Sequence, residues 1–484
     1  MKITVGLVFA ALVSLGQAQN DGSAPARCTS LRTRRNAATL SVQDWQNIAN
    51  VVSRMSNDGW ISRFGASHDR LFSRVHGNTC FFPFHRRYLV EYENIGRTYD
   101  PNFVLPYWDA TQSARNPAAD PLLNSNALGT NGQGANQCLA DGIQTNSQLT
   151  YPNAHCLRRQ FDNGGSIRSW YAPEIISSYL QSDTSLARFR EDIEYSIHGA
   201  VHLGLGGDMN AGYAAQDFSF MVHHANLDRL WWDWQNSHNS FMMYDGTGSN
   251  GPASLSDAIP EDSSVPFNGA SVESVMVLGY GNVCYTYDSS PSPPQSYPAA
   301  GNSAAPVNNN AASQPSQNNQ QQPPQNNQQQ PPQNNQQQPP QNNQQQQPQN
   351  NQQQQPQNNQ QQQPQNNQQQ WPSSNAPANR RPVLSGSSNM ANRIMENSGI
   401  QGALGSDFVN RFFPGLRGWR APSRRRAYQE KTLSDCGGPI PFPPRLTPEW
   451  IKMHGYDAER VEMFHQHACQ IVEGLNNSTY TSPY

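Results

Sequence analysis

The sequence predicts a mainly α-helical protein: a four-helix bundle core enclosing a site, long loops, a disordered Gln/Asn/Pro-rich tract and a small helical C-terminal region. Three observations lead there. Apolar side chains recur at the three-and-four spacing of an amphipathic helix in several separate segments. Histidines fall at helical spacing inside those segments, so that facing helices can aim them into one interior. Finally, the stretch from about Asn308 to Gln370 repeats Pro-Gln-Asn-Asn-Gln-Gln-Gln almost without apolar residues, which divides the chain.

The elements follow in order. Residues 1–18 read as a secretory signal peptide: Lys2 gives a positive start, Ile3 to Leu15 is apolar, and Gly16-Gln17-Ala18 offers small residues before a cut. That apolar stretch is too short to span a bilayer, and no later segment is long and apolar enough, so no membrane association is expected. Residues 19–305 are long enough for one large core. Ser41 with Asp44 resembles an N-cap pair before Trp45, Ile48, Ala49, Val52 and Met55 at helical spacing. Arg63 to Val75 and Phe84 to Gly96 read as the next two helices. Asn116 to Asn153, rich in Asn, Gly and Pro, reads as a long loop pinned by cysteines. Two further helices are expected near 186–203 and 220–236, with little β structure.

Residues 306–372 form the tract, where burial cannot offset the entropy of ordering, so disorder is expected. It serves either as a passive spacer or as a multivalent adhesive segment. Residues 373–484 recover a globular composition. Thr447 caps a helix with Pro448 in its first position, and a second helix runs from Glu459 to Leu475. His465 and His467 on that helix are two apart, face different sides, and read as surface residues.

Six other histidines form two groups of three. His68, His76 and His85 make the first, the last two within His76-Gly-Asn-Thr-Cys-Phe-Phe-Pro-Phe-His85-Arg86. His198, His202 and His224 make the second; His198 and His202 project from one helix face towards one ion, and His224 follows on the next helix. Imidazole suits copper, and two all-histidine sites without a ligand carboxylate fit copper better than a zinc hydrolase. Asp228, four residues after His224, is placed to accept the free N–H of a ligand histidine. His155 lies in a loop and is the rival ligand to His68.

The order and spacing of these residues resemble the tyrosinase family of tyrosinases, catechol oxidases and haemocyanins. His76, Phe81, Phe84, His85, Arg86, Leu89 and Glu93 match its first copper motif, and Pro106-Tyr107-Trp108-Asp109 matches a second family sequence. The likeness covers roughly His68 to Trp234. It implies two copper ions on the six histidines, with dioxygen and phenols as reactants and o-quinones as products. It selects His224 over His223 as the ligand. Glu194, four residues before His198, matches an acidic residue that orients a water as general base, with Glu191 and Asp192 as competitors. Gly199 stands where many monophenol-oxidising relatives carry Asn, which leans towards diphenol oxidation. Two departures stand out: Asp217 is followed by Phe218 rather than Pro, and Arg74 occupies the place of a cysteine that some relatives link to the second histidine. Cys80 lies elsewhere, so no thioether is expected.

Seven cysteines fit an oxidising compartment, with Cys138–Cys156 and Cys436–Cys469 as plausible bridges and one thiol left over. Asn476 and Asn477 head overlapping glycosylation acceptors. A net charge of −3 without a basic stripe excludes nucleic acid as a partner. Arg424–Arg426 reads as a solvated loop. The overall layout is similar to secreted molluscan tyrosinase-like proteins of shell or periostracum. That likeness implies quinone tanning of an extracellular matrix, with protein tyrosine or DOPA and matrix proteins as partners. A structural matrix protein of little activity and a haemocyanin-like oxygen carrier are the alternatives.

Overall fold

The computed structural model describes residues 24–299, 400–416 and 439–484. The expected signal peptide, the 306–372 tract, Arg424–Arg426 and Cys436 lie outside them.

Helices dominate, as expected. Helix α1 (Val42–Asn57) opens with a reciprocal cap: the Ser41 hydroxyl accepts from the Asp44 N–H while the Asp44 carboxylate accepts from the Ser41 N–H. Such a cap is worth about 1 kcal/mol. It buries Trp45, Ile48, Val51, Val52 and Met55. Helix α2 (Trp60–Val75) starts three residues before the expected Arg63, and α3 (Phe81–Arg97) likewise begins a turn early. The sequence reading missed α4 (Pro173–Ser182). The expected helix over 186–203 is three pieces: α5 (Leu186–Ile193), a π-helical turn (Glu194–His198) and α6 (Gly199–Leu205). π-turns inside helices are frequent at functional sites. Helix α7 (Phe218–Ser237) is capped by the Asp217 side chain, so Phe218 in place of proline leaves a working N-terminus.

Sheet is confined to short pairs. Strand β1 (Arg32–Arg34) pairs in parallel with a strand at Tyr285–Tyr287, and the Cys28–Cys284 disulfide joins the same two segments. The expected Cys138–Cys156 bridge is present and pins the long loop. Cys80 is buried within the core, and desolvation pushes its thiol up to about 11, so it is no thiolate at neutral pH. No helix among the described residues is long and apolar enough to cross a membrane.

The described C-terminal residues belong to the same compact unit as residues 24–299. Helices α8 (Ile400–Ala403) and α9 (Ser406–Phe412) precede α10 (Pro448–His454) and α11 (Ala458–Asn476). Thr447 caps α10 with Pro448 at its first position, as the sequence suggests. A second hydrophobic cluster, Tyr195, Leu203, Leu446, Trp450, Tyr456, Val461 and Phe464, seals α10 and α11 against the Glu194–Leu205 segment. Gly199 makes this approach feasible: a Cβ there would lie 2.5 Å from Leu446 Cδ2 and 3.1 Å from Trp450 Nε1. His465 and His467 are not surface residues. His465 is buried and bonded to the Pro443 carbonyl, and His467 is half-buried against Tyr179 and Phe412, because α11 packs on two sides rather than one. Of the two glycosylation acceptors, Asn476 spends its amide on Ile440, which leaves Asn477 as the exposed one.

Candidate metal centre

Both histidine groups come together in the bundle interior. His68 lies mid-way along α2, His76 ends that helix, and His85 follows in the second turn of α3. Their ring centroids are 5.1, 5.2 and 5.5 Å apart. His198 and His202, around the π-turn and α6, meet His224 from α7 at centroid distances of 4.7, 5.2 and 5.6 Å. Within each triad the three ligand nitrogens lie within 4.8 Å of one another. The triads are adjacent: His85 stacks on His224 at 4.2 Å, and His76 faces His198 at 5.7 Å.

Hydrogen bonds orient the rings. The Nδ1–H groups of His68, His76, His85, His198 and His202 donate to the carbonyls of Gly212, Phe72, Phe81, Glu194 and Met209, at 2.6 to 3.3 Å. A carbonyl can only accept, so each of these rings keeps its proton on Nδ1 and turns the Nε2 lone pair inward. His68 Nε2 and His85 Nε2 are then 3.4 Å apart with lone pairs facing, an arrangement that repels unless a cation sits between them. His202 Nε2 stands at the same 3.4 Å from His224 Nε2, and His198 Nε2 is buried without a hydrogen-bond partner. Burial holds His68 and His202 down to about 4, and it drives His76, His85, His198 and His224 well below their ordinary range. All six imidazoles are therefore neutral at pH 7, as metal ligation requires. The residues present fit two soft-to-borderline cations held by imidazole.

Comparison with known proteins decides which cations. Residues 40–237 match the family model described as the common central domain of tyrosinase. A tyrosinase-like protein of Diaporthe leptostromiformis, phomQ2, is 30% identical over 298 residues, 56% of this chain and 76% of its own. Tyrosinase ustQ of Aspergillus flavus is 32% identical over 299 residues, 54% of this chain and 80% of that one. The chain belongs to the tyrosinase family. This tyrosinase-family protein is thus a copper-dependent oxidoreductase acting on phenols and dioxygen, with a type-3 pair of copper ions. Among solved structures, a polyphenol oxidase variant from Thermothelomyces thermophila covers 54% of this chain and 90% of its own at 21% identity, with a TM-score of 0.47.

Glu194 is fully buried beside both triads: its Oε1 accepts from the Gly77 N–H at 2.8 Å and from the Tyr456 hydroxyl at 2.7 Å, and Oε2 accepts from Arg190 at 2.9 Å. Gly77 follows His76, and the Glu194 carbonyl holds His198, so Glu194 links the two triads. Burial raises its pKa, against the pull of Arg190, Gly77 and Tyr456. Its competitors point elsewhere. Glu191 pairs with Arg460 of α11, and Asp192 with Arg188. His223 stacks parallel to His198 at 6.1 Å, outside the triad. His155 is bonded to Asp208 and joins neither group.

Asp228 corrects the sequence reading. It holds no ligand histidine; its carboxylate is taken by Arg34, Arg86, Tyr285 and Tyr287, all buried. Helical spacing alone put Asp228 under His224. The carboxylate instead faces two buried guanidinium groups, of which Arg86 has no other carboxylate partner while Arg34 also pairs with Glu93, and Nδ1 of His224 is left without a protein partner. The sequence reading also missed the residues of α10, and of the turn after it, that cover the centre. Trp450 lies 5.3 Å from His202, and Tyr456 reaches Glu194. Their distance along the chain gave no signal of this; only the helix itself was readable.

Proposed function

We propose that His68, His76 and His85 hold one copper ion and His198, His202 and His224 the other. On this reading the chain is a secreted catechol oxidase that makes o-quinones for cross-linking an extracellular shell matrix. One observation carries the assignment: two buried triads meet edge to edge, with five of six rings fixed through Nδ1 so that Nε2 faces inward. The copper pair supplies the redox step with dioxygen, while catechol gives up electrons and protons. Glu194 is the proton acceptor at the rim of both triads, acting through a water. Two disulfides and the signal-like N-terminus support secretion. Quinones react with protein nucleophiles, which makes matrix proteins, including their tyrosine or DOPA side chains, natural partners, and the 306–372 tract a spacer between them and the enzyme.

Catechols should be oxidised faster than monophenols, because Gly199 and the close cover of Leu446 and Trp450 leave no room for a side chain at position 199. Oxygen uptake by copper-loaded protein with L-DOPA and with tyrosine checks this. A tyrosine rate equal to the L-DOPA rate, without a lag, contradicts it. Glu194→Gln should keep both coppers and lower L-DOPA turnover by on the order of 10²-fold, the usual yield of a positioned base. Copper loss in that variant would assign Glu194 to holding the site together instead.

A second reading has one observation in its favour. The ligand imidazoles are at most 3% exposed, and α10 packs over them. So closed a site admits dioxygen more readily than a phenol, as an oxygen carrier requires. Reversible oxygen uptake without turnover of any catechol would establish that reading.

A further inference from the structure

We propose that His454 is a seventh histidine of this centre, placed by α10 to ligate the copper pair through Nε2. The assignment rests on the dicopper reading above.

His454 is built like the ligands around it. Its Nδ1–H donates to the carbonyl of Trp450, four residues earlier, at 2.9 Å. The same bond to the residue four positions back orients His76 on Phe72 and His85 on Phe81. The proton is thereby committed to Nδ1, and the Nε2 lone pair has no hydrogen-bond partner although the residue is only 4% exposed. A buried acceptor left unmet costs roughly 1–3 kcal/mol. Such an atom calls for a partner that the protein itself does not provide.

Its surroundings identify that partner. The ring centroid is 5.0 Å from His76 and 6.1 Å from His198, one ligand of each triad. The first distance is as short as those within the first triad. The remaining ring neighbours are Phe72, Trp450 and Tyr456, and the Tyr456 hydroxyl is spent on Glu194. Packing alone would be served better by an apolar residue at 454. The side chain lies outside both strict triads, each of which already has three ligands, so ligation by His454 would add to a set rather than replace a member. Its helix is firmly seated. Thr447 caps α10, Gly199 admits Leu446 and Trp450, and Arg460 and Tyr456 tie the following residues to Glu191 and Glu194.

The test is azide binding to the oxidised, copper-loaded full chain, read from the azide-to-copper charge-transfer absorption. His454→Phe keeps a ring and removes the nitrogen; His454→Ala removes both. If His454 occupies a copper position for all but a minor fraction of the time, either variant should bind azide at least about tenfold more tightly. The visible copper absorption of the azide-free variants should also shift. An unchanged His454→Phe, in both azide affinity and spectrum, overturns the assignment, and a tighter His454→Ala alone would then mark His454 as steric cover. A wild type that takes up fewer than two coppers would instead overturn the dicopper reading, and this assignment with it.

Discussion

Replacing Asp228 with alanine should destabilise the fold by roughly 3–5 kcal/mol, the scale for removing one partner of a buried ion pair. The carboxylate sits between two fully buried guanidinium groups, Arg34 from β1 and Arg86 from α3. Arg34 has Glu93 as a second counter-charge at 3.0 Å and lies over the Tyr285 ring at 3.6 Å. Arg86 has besides only neutral partners, the Val275 and Met276 carbonyls, Gln235 and the Trp231 ring at 3.6 Å, so alanine at 228 leaves its charge without a carboxylate. The same carboxylate accepts from the Tyr285 and Tyr287 hydroxyls, which join the strand paired with β1 to α7. Because α3 carries His85 and α7 carries His224, the loss should also loosen the contact between the two triads. Urea unfolding of wild type and Asp228→Ala measures the first effect. A difference below about 1 kcal/mol, the range of an exposed pair, would contradict it.

The metal-free protein should lose stability steeply as the pH falls from about 6.5 towards 4. His68 and His202 sit at about 4 in the folded chain because burial penalises their charged forms. An unfolded chain returns them to their ordinary value near 6.5. Between the two values the unfolded state binds protons that the folded state refuses, so stability falls with falling pH and levels off below the folded values. Each of these two groups contributes about 3 kcal/mol to that loss, and the other four ligand histidines shift in the same direction. Typical domains have about 5–15 kcal/mol in all, so the apoprotein should unfold before pH 4. Bound metal stabilises the folded state and should move the transition to lower pH. Thermal melts of metal-free and copper-loaded protein at pH 7.5 and pH 5 read both effects. Equal melting temperatures for the metal-free form at the two pH values would mean that these imidazoles are not buried and neutral.

Much of this architecture is written in local patterns. The Ser41–Asp44 cap, the Thr447–Pro448 start and the apolar stripe of α1 are one-helix features, and they are legible because they depend on neighbours three or four residues away. The six histidines are legible for the same reason, helped by the motif around His85. What escaped depends on three dimensions. Helix α4 is buried on nearly every side, so it has no polar stripe to set a period. The π-turn at Glu194–His198 adds one residue to a helical repeat, which spacing cannot reveal. Cys28 finds Cys284 across 256 residues through the β1 pairing. Arg86, Glu93 and Asp228 were readable as motif residues, yet their work is mutual. They lock α3, α7 and β1 together rather than orient a ligand. The seat of α10 over the centre depends on Gly199, whose missing side chain looks, in sequence, like a matter of substrate preference.

The dicopper centre is tested most directly by the copper content of the folded protein after loading and removal of free metal. Two copper ions per chain are expected, falling to one or fewer when His85 or His224 is replaced by alanine. One copper per wild-type chain, or zinc retained in preference to copper, would contradict it.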